Sequence, residues 1–511
     1  MSEMRHRSFV FFVLLAALVL SMPISGGAQD RAPGTGEHVW IIGGGPTPAG
    51  SGAQIEFNVK WVLESLREMI PGAQLRVYFA NGRGPEPSVH ETRTAEEYPG
   101  EDLEGLSRIF GAQGPNRYVY RPHEVPDVLG STRADALALE LAAQFRELNE
   151  GDRAFIIYNG HGSWYPDPAD NGLRLWGESH LSAREFERLL SEVHRRVPVR
   201  FLFTQCYAGG FERVVHPDAQ DVKELAKGTR CGFFAESEDR ESEGCSASIE
   251  VGDYRDYTTF FFAALKGENR LGEPVEGIRD FDKDGTVTPF EAHLFSLAEG
   301  YNGDLPRSTS EVFLERWEPW YLRWFDTGAL PNNVYGDLAR NLARKLGFPE
   351  DGGALARRIE DRHRELKESV ATLEKEKRHR GGEIRRLQET IQRQISLRWP
   401  AMAHPHTVGY RTFLLEEVWE AEEAIRKHAS YADLVAGQNR LAEIELELMD
   451  LDRAIAQLEK LRRIRSLARL MNRFERFASQ EDRARFQQLR SCEELPLIPP
   501  GRRTNSSTYG R

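Results

Sequence analysis

Short apolar runs alternate with amphipathic stretches between residues 38 and 330. The runs with the length and composition of buried strands are residues 39–42, 75–80, 154–158, 199–203 and 232–235. The stretches in which apolar residues recur at helical spacing are residues 55–69, 134–148, 183–194 and 257–265. Strands that are separated by helices favour parallel crossover connections. The pattern therefore predicts an α/β sandwich with a mostly parallel sheet.

A different pattern begins after residue 353, where apolar residues take the spacing of a coiled coil. Ile359 and Leu366 fall on one heptad position, and charged residues lie between the apolar ones. A tryptophan-proline pair then interrupts the pattern, and a second long helical stretch follows it. We predict a helical coiled-coil arm over residues 354–490 and a disordered tail over residues 491–511.

The two helical stretches of this arm could be arranged in two ways. They could fold back on each other as an antiparallel hairpin, or extend and self-associate as a dimeric coiled coil. Periodicity alone does not choose between these geometries. Lys377, Arg380, Gly381 and Gly382 place charged and flexible residues in the apolar seam, which favours the hairpin. In either form the arm is expected to be separable from the catalytic domain, to mediate association or substrate access and to take no part in chemistry.

The first residues have the features of a signal peptide. Arg5 and Arg7 precede an apolar run over residues 9–22, and small residues follow at positions 26–28. A helix of this length rises about 21 Å, which is shorter than the roughly 30 Å hydrocarbon core of a bilayer. A signal peptide over residues 1–28 is therefore favoured over an uncleaved anchor. The mature protein is expected in the periplasm or secreted, without stable membrane insertion.

The charge of the chain narrows the classes of partner. It has 67 lysines and arginines against 79 aspartates and glutamates, which gives a formal net charge of −12. This excess of negative charge argues against nucleic acid or an anionic membrane surface as a partner.

A histidine and a cysteine follow two of the predicted strands. His161 comes after the run at residues 154–158, and Cys206 comes after the run at residues 199–203. Because the carboxyl ends of parallel strands meet at one edge of a sheet, both side chains are expected to emerge there. An imidazole can activate the thiol, and the backbone N–H groups of Gly162 and Cys206 could stabilise an oxyanion. These residues predict a thiol-based acyl-transfer site.

The surroundings of this pair are similar to those of a known family. A strand followed by His161-Gly162, and 45 residues later a strand followed by Gln205-Cys206, resembles the caspase and legumain superfamily of cysteine peptidases (clan CD). The stretch Gln-Cys-Tyr-Ala-Gly-Gly-Phe is similar to its bacterial legumain- or caspase-like members. The resemblance implies a caspase-like catalytic domain over residues 29–350. In that domain His161 would be the catalytic histidine and Cys206 the nucleophile.

The activity implied by this resemblance is that of an exported cysteine endopeptidase. It would hydrolyse peptide bonds in protein or peptide substrates through a thioester acyl-enzyme, and the chemistry would need no cofactor. Two alternatives stay open. A transpeptidase or ligase of the same type would transfer the acyl group to an amine, and a catalytically silent assembly module would act through the helical arm.

The segment that follows the fifth predicted strand is acidic. In the caspase and legumain superfamily, the corresponding segment helps to form the pocket for the P1 side chain. Here it contains Glu236, Glu238 and Asp239. A wall of carboxylates would favour a cationic P1 side chain, and a solvated acidic loop is the alternative.

A second motif occupies residues 280–291, with Gly285 at its sixth position. Its candidate oxygen ligands are Asp280, Asp282, Asp284, Thr286, Thr288 and Glu291. Oxygen ligands at these spacings suit a hard Ca²⁺ ion, and the pattern resembles an EF-hand loop. Glycines and a proline make the preceding segment a poor helix, so we expect an isolated, structural calcium loop. An aspartate-rich turn without an ion is the alternative.

The chain has four cysteines, and no pair has the CxxC spacing of a structural zinc site. In an oxidising compartment Cys231 and Cys245 could close a short disulfide loop, with two unpaired thiols as the alternative. The Cys206 thiol is expected to be more reactive than that of Cys492, because only Cys206 has a histidine that could stabilise its thiolate.

Overall fold

The structure of the protein is a computed structural model. It describes residues 36–92, 103–110, 118–220, 224–325, 329–350, 352–404 and 407–497. The predicted signal peptide, residues 1–28, lies outside the described residues, as does the predicted tail from residue 498 onward. No helix in the described ranges combines the length and the apolar character needed to cross a bilayer.

Eleven strands and thirteen α-helices are found in the described part of the chain. The strands are β1 (Glu37–Gly44), β2 (Gln74–Phe79), β3 (Val89–Thr92), β4 (Tyr118–Arg121), β5 (Val128–Gly130), β6 (Arg153–Ser163), β7 (Gly172–Leu175), β8 (Ser179–Ser182), β9 (Val199–Phe203), β10 (Arg230–Phe234) and β11 (Arg307–Ser308). The helices are α1 (Ala53–Met69), α2 (Glu104–Phe110), α3 (Ala134–Arg146), α4 (Ala183–Leu190), α5 (Tyr257–Lys266), α6 (Pro289–Glu299), α7 (Thr309–Trp317), α8 (Val334–Lys345), α9 (Gly352–Arg398), α10 (Val408–Glu416), α11 (Val418–Arg426), α12 (Tyr431–Phe477) and α13 (Gln480–Glu493).

Nine of the described strands form one mixed sheet. Seven of them lie side by side in the order β11-β10-β9-β6-β1-β2-β5. All are parallel to their neighbours except the short edge strand β11. Strands β7 and β8 continue the sheet as an antiparallel extension at the end of β6. The strand order and directions confirm the predicted α/β architecture with a mostly parallel sheet.

Apolar clusters cover both faces of this sheet. Strands β1 and β9 are buried along their whole length, as expected for parallel strands between two layers of helices. One cluster joins Val39 and Ile41 of β1 to α1, α5, α6 and α8. The other joins Trp40 and Ile42 of the same strand to α3 and α4. Successive β1 side chains therefore point to opposite faces, which makes the strand the centre of the sandwich.

The two long helices of the C-terminal region form an antiparallel hairpin. Arg440 of α12 binds Glu376 of α9 at 3.1 Å, whereas Arg462, further along α12, binds Glu360, further back along α9, at 2.8 Å. The coiled-coil partner of each helix is therefore in the same chain, as the seam residues favoured. At the far end of the hairpin, the carboxylate of Glu422 accepts two backbone hydrogen bonds from α2.

The inner half of the hairpin belongs to the core of the sandwich. Leu458, Leu461, Ile464 and Leu467 of α12 are buried in the same apolar cluster as β1 and α1. The prediction of a separate arm over residues 354–490 therefore describes only the outer half of the hairpin. Heptad spacing marks the residues that pack between two helices, but it does not show that the same helix also covers a sheet.

The disulfide prediction was wrong in its pairing. Cys231 of β10 is bonded to Cys492 of α13, with 5.9 Å between the two Cα atoms, and Cys245 is a free thiol. The reason is that α13 returns across the sheet to β10. Cys245, by contrast, lies on the loop after β10, with its Sγ 3.7 Å from the Gly160 carbonyl oxygen.

The first part of the predicted disordered tail, residues 491–497, is also packed against the sandwich. Arg200 and Arg153 donate hydrogen bonds to the carbonyl oxygens of Leu495 and Pro496, at 3.0 and 3.1 Å, and Leu497 is buried. The disulfide and these contacts hold the end of the described chain on the sheet.

Reduction of this disulfide is expected to lower the free energy of unfolding by about 2–5 kcal/mol, because the bond closes a loop of 261 residues. Urea unfolding with and without dithiothreitol measures the loss. The double variant Cys231→Ala/Cys492→Ala is the matched control, and its stability should not respond to the reductant. A reductant effect of the same size in that variant would contradict the pairing.

Candidate active site

The sheet places His161 and Cys206 at the same edge, as predicted. Strands β6 and β9 are adjacent and parallel, and Tyr158 is the register partner of Phe203. His161 lies three residues after Tyr158, still in β6. Cys206 lies three residues after Phe203, in the turn that follows β9.

Gly162 brings the backbone after His161 into close contact with the backbone at Cys206. A Cβ atom at position 162 would lie 1.9 Å from the carbonyl oxygen of Cys206 and 2.9 Å from the Gln205 side chain. Both distances are too short for any residue other than glycine. The glycine after the histidine is thus required for the approach of the two segments.

The thiol of Cys206 is free and partly buried. The backbone N–H of Ser242 donates a hydrogen bond to its Sγ atom at 3.3 Å. Burial raises the pKa of Cys206, the Ser242 hydrogen bonds oppose this rise, and the charges of Glu241 and Asp304 add to it. The described residues include no hydrogen bond between Cys206 and His161. The net effect of these surroundings favours the protonated thiol at Cys206.

The surroundings of His161 favour its neutral form. Burial lowers the pKa of His161, and the charges of Arg174 and His90 lower it further. A hydrogen bond with the backbone of Gly50 acts in the opposite direction. A neutral imidazole at this edge of the sheet is in the form that can accept a thiol proton when the sulfur attacks a carbonyl carbon.

Gly50 is a site residue that the sequence patterns did not identify. It ends the short 3-10 turn Pro48–Gly50 that follows β1, and its N–H donates to the side chain of Thr47 at 3.2 Å. Because β1 lies next to β6 in the sheet, this turn is placed beside His161. The run of three glycines at residues 43–45 could have pointed to a functional turn after β1.

The turn at Cys206 leaves one candidate oxyanion donor open. Tyr207 has a left-handed backbone with φ of 60°, and its N–H donates to the Arg240 carbonyl oxygen at 2.7 Å. Within the described residues, the N–H of Cys206 has no acceptor. Gly162, the second predicted donor, lies in β6 opposite Leu173 of β7.

The acidic residues predicted for the specificity pocket have different surroundings. Glu236 is fully buried, where it accepts the N–H of Leu305 at 2.9 Å and pairs with Arg240 at 3.3 Å. Burial raises the pKa of Glu236 to about 7. Glu238 is half-buried, and Asp239 is exposed and accepts the hydroxyl of Ser237 at 2.6 Å. The Glu236 carboxylate is therefore an internal contact of this loop and is not exposed to solvent.

A groove of about 960 Å³ lies between the loop after β10 and the helical hairpin. We call residues 236–248 the nucleophile loop, because Ser242 contacts the Cys206 thiol. Glu241, Ser242 and Glu243 line the groove on this side, and residues of α9 and α12 line it on the other. The groove reaches the Cys206 thiol only through Ser242, since neither Cys206 nor His161 lines it.

The predicted calcium loop brings three of its six candidate ligands together. Carboxylate oxygens of Asp280, Asp282 and Asp284 lie within 4.8 Å of one another. The carboxylate of Glu291 accepts the N–H groups of Phe281 and Thr288, at 2.7 and 2.9 Å. Glu291 therefore caps α6 and closes the loop.

The two threonines of the motif also take part in the loop and the cap. The N–H of Thr286 donates to the Asp284 carboxylate at 2.7 Å. Thr288 is the N-cap of α6, and its side chain accepts the N–H of Glu291. Helix α6 follows the loop directly.

Comparisons with known proteins add little to this description. No protein-family model and no curated protein matches the chain. Among solved structures it is similar to protein GSU0716 from Geobacter sulfurreducens, a structural genomics target, with 11% sequence identity and a TM-score of 0.28. The match covers 45% of this chain and 82% of that protein. A likeness at this TM-score carries no argument about function.

Proposed function

We propose that the protein is a cysteine endopeptidase of the caspase and legumain type, with Cys206 as nucleophile and His161 as general base. The observation that carries the proposal is the meeting of His161, Gly162 and Cys206 at the ends of two adjacent parallel strands. A free thiol, a neutral imidazole held by a backbone hydrogen bond, and an open backbone N–H are the parts that acyl transfer needs.

The proposed reaction has two steps. The Cys206 sulfur attacks the scissile carbonyl carbon while its proton passes to His161, and the N–H of Cys206 hydrogen-bonds the oxyanion. Collapse of this intermediate breaks the C–N bond, and the imidazolium gives its proton to the leaving amine. Water, with His161 again as base, then hydrolyses the thioester and restores the thiol. Capture of the thioester by an amine would give the ligase activity instead.

The proposed location of this enzyme is the periplasm or the exterior of the cell. The disulfide between Cys231 and Cys492 supports export, because such bonds persist in oxidising compartments. The signal-peptide pattern at residues 1–28 points the same way.

Labelling with a peptidyl acyloxymethyl ketone tests the proposed nucleophile. A panel with Arg, Lys, Asn or Asp at P1 is offered to the folded chain, and the adduct is located by peptide mass spectrometry. We expect an adduct on Cys206 and not on the second free thiol, Cys245, and we expect His161→Ala to remove it. Equal labelling of both thiols, or labelling that survives His161→Ala, would count against the proposal.

We also propose that the loop at residues 280–291 binds a structural Ca²⁺ ion. The cluster of Asp280, Asp282 and Asp284 supports it, because three carboxylates on a tight loop suit a hard divalent cation.

Calcium is expected to raise the melting temperature by about 3 °C or more, because an ion that binds only the folded state stabilises it by mass action. Differential scanning fluorimetry in EDTA and in millimolar CaCl₂ measures the shift. The variant Asp282→Asn/Asp284→Asn should lose the response. An identical melting temperature in EDTA and in calcium would show that the loop does not bind the ion.

A further inference from the structure

The helical hairpin holds the nucleophile loop in place. Each hydrogen bond that the structure gives to the Cys206 thiol is with Ser242 of this loop. Arg240, two residues before Ser242, and Glu243, the residue after it, both form ion pairs with α12.

The firmer of these two contacts is the pair between Arg453 and Glu243. The guanidinium binds both carboxylate oxygens, with Nε at 3.1 Å from Oε1 and a terminal nitrogen at 2.9 Å from Oε2. The Arg453 side chain is 13% exposed and that of Glu243 is 28% exposed. A two-point contact of this kind fixes the orientation of both groups, and partial burial limits its screening by salt.

Glu243 connects this ion pair to the backbone of the nucleophile loop. Its carboxylate accepts the N–H of Gly303 at 2.8 Å, and its own N–H donates to the buried Asp304 carboxylate at 2.8 Å. Since Ser242 is the preceding residue, the position of its N–H relative to the Cys206 sulfur depends on how Glu243 is held.

A second contact holds the other side of the loop. Arg240 binds Glu459 of α12 at 3.3 Å, and the Arg240 carbonyl oxygen accepts the N–H of Tyr207, the residue after the nucleophile. The next residue, Lys460, donates from its ammonium to the side chain of Asn302 at 2.6 Å and to the Gly300 carbonyl at 2.7 Å. Helix α12 thus contacts the nucleophile loop both before and after Ser242, at Arg240 and at Glu243.

We propose that Arg453 of α12 is a positioning residue of the active site, which acts through Glu243 to hold the Ser242 N–H on the Cys206 thiol. This inference rests on the proposed role of Cys206 as nucleophile. It gives the helical arm a part in the chemistry, contrary to the expectation from its heptad pattern.

The test measures how fast iodoacetamide alkylates Cys206 as a function of pH, in the full chain carrying Cys245→Ala. The other two cysteines are in the disulfide, so Cys206 is then the free thiol that reacts. In Arg453→Met the Ser242 hydrogen bond should be weakened. We expect alkylation at pH 8 to slow about tenfold and the midpoint of the pH profile to rise by about one unit, since one pKa unit is a factor of ten.

Arg440→Met is the matched control. Arg440 is on the same helix and is ion-paired with Glu376 and Glu447, but it does not contact the nucleophile loop. This control should keep the wild-type profile, and Arg453→Lys should restore part of the rate. A folded Arg453→Met protein with an unchanged midpoint would overturn the proposal.

Should Arg453→Met fail to fold, Glu243→Gln decides the question. Glutamine keeps the size and the acceptor for the Gly303 N–H but loses the charge that binds Arg453, and an unchanged midpoint in this variant would also overturn the proposal. Alkylation does not require peptide cleavage. If the protein cleaves no peptide but the alkylation midpoint still shifts in Arg453→Met, the proposed function is rejected and the positioning role of Arg453 is kept.

Discussion

Replacing Cys206 with alanine is expected to lower peptide cleavage by at least about a thousandfold, because the thioester intermediate cannot form without the thiol. Cleavage of a panel of fluorogenic peptides by the purified protein measures the loss. The fold should survive, since the side chain is only partly buried and its hydrogen bonds are all with one residue. Full activity in a Cys206→Ala protein would refute the mechanism.

His161→Ala should lose nearly as much cleavage activity, and the double variant should lose no more than Cys206→Ala alone, because nucleophile and base act as a unit.

The pH profile of peptide cleavage tests the protonation state of His161. Burial lowers the pKa of His161 below its usual value of 6.5, so the neutral base is present in mildly acidic solution. The acidic limb of the kcat/KM profile should therefore have its midpoint below that value. A limb at or above it would contradict the neutral-imidazole assignment.

Truncation after residue 350 is the second change with a large expected effect. It removes buried α12 residues from the core of the sandwich, among them the four large side chains of Leu458, Leu461, Ile464 and Leu467. At about 2 kcal/mol for each buried side chain, their loss is about 8 kcal/mol, which is comparable to the whole stability of a typical domain. Truncation also removes Cys492 from the disulfide.

The truncation also leaves buried charge without its partner. The Glu311 carboxylate, which is fully buried, binds Arg463 of α12 at 3.0 Å and His293 at 3.1 Å. Breaking a buried ion pair from one side is strongly destabilising. We therefore expect the truncated chain to be insoluble or unable to react at Cys206, and expression followed by labelling measures both. A soluble, labelled product would show that the arm is separable after all.

A shorter deletion is the matched control for this truncation. Glu376 and Arg440 are 3.1 Å apart across the hairpin, so a short Gly-Ser linker can replace residues 380–436 without displacing the inner half. This variant loses only the outer part of the hairpin. We expect it to fold and to react at Cys206. If both variants fail to fold, the outer half of the hairpin is also needed for folding.

Local patterns along the chain were enough to predict the main strands and the candidate dyad. The apolar runs that became β1, β2, β6, β9 and β10 are too short for helices and end at turn residues, so their spacing with the helices between them predicts a parallel sheet. Once the strands are parallel, His161 and Cys206 must emerge at one edge. The charged and glycine residues in the seam likewise favoured the hairpin before its contacts were known.

Contacts between segments that are far apart in the sequence depend on the fold of the whole chain. Cys231 pairs with a cysteine 261 positions away, because α13 returns to the sheet. The backbone at Gly50 reaches His161 because β1 lies beside β6.

The support of the nucleophile loop by α12 has the same origin. Arg453 and Glu243 are 210 positions apart and belong to segments with unrelated periodicity. Hydrophobic spacing reports which face of an element is buried, and it carries no information on the element against which that face packs. These contacts follow from how the helices cover the sheet, and that arrangement is a property of the whole chain.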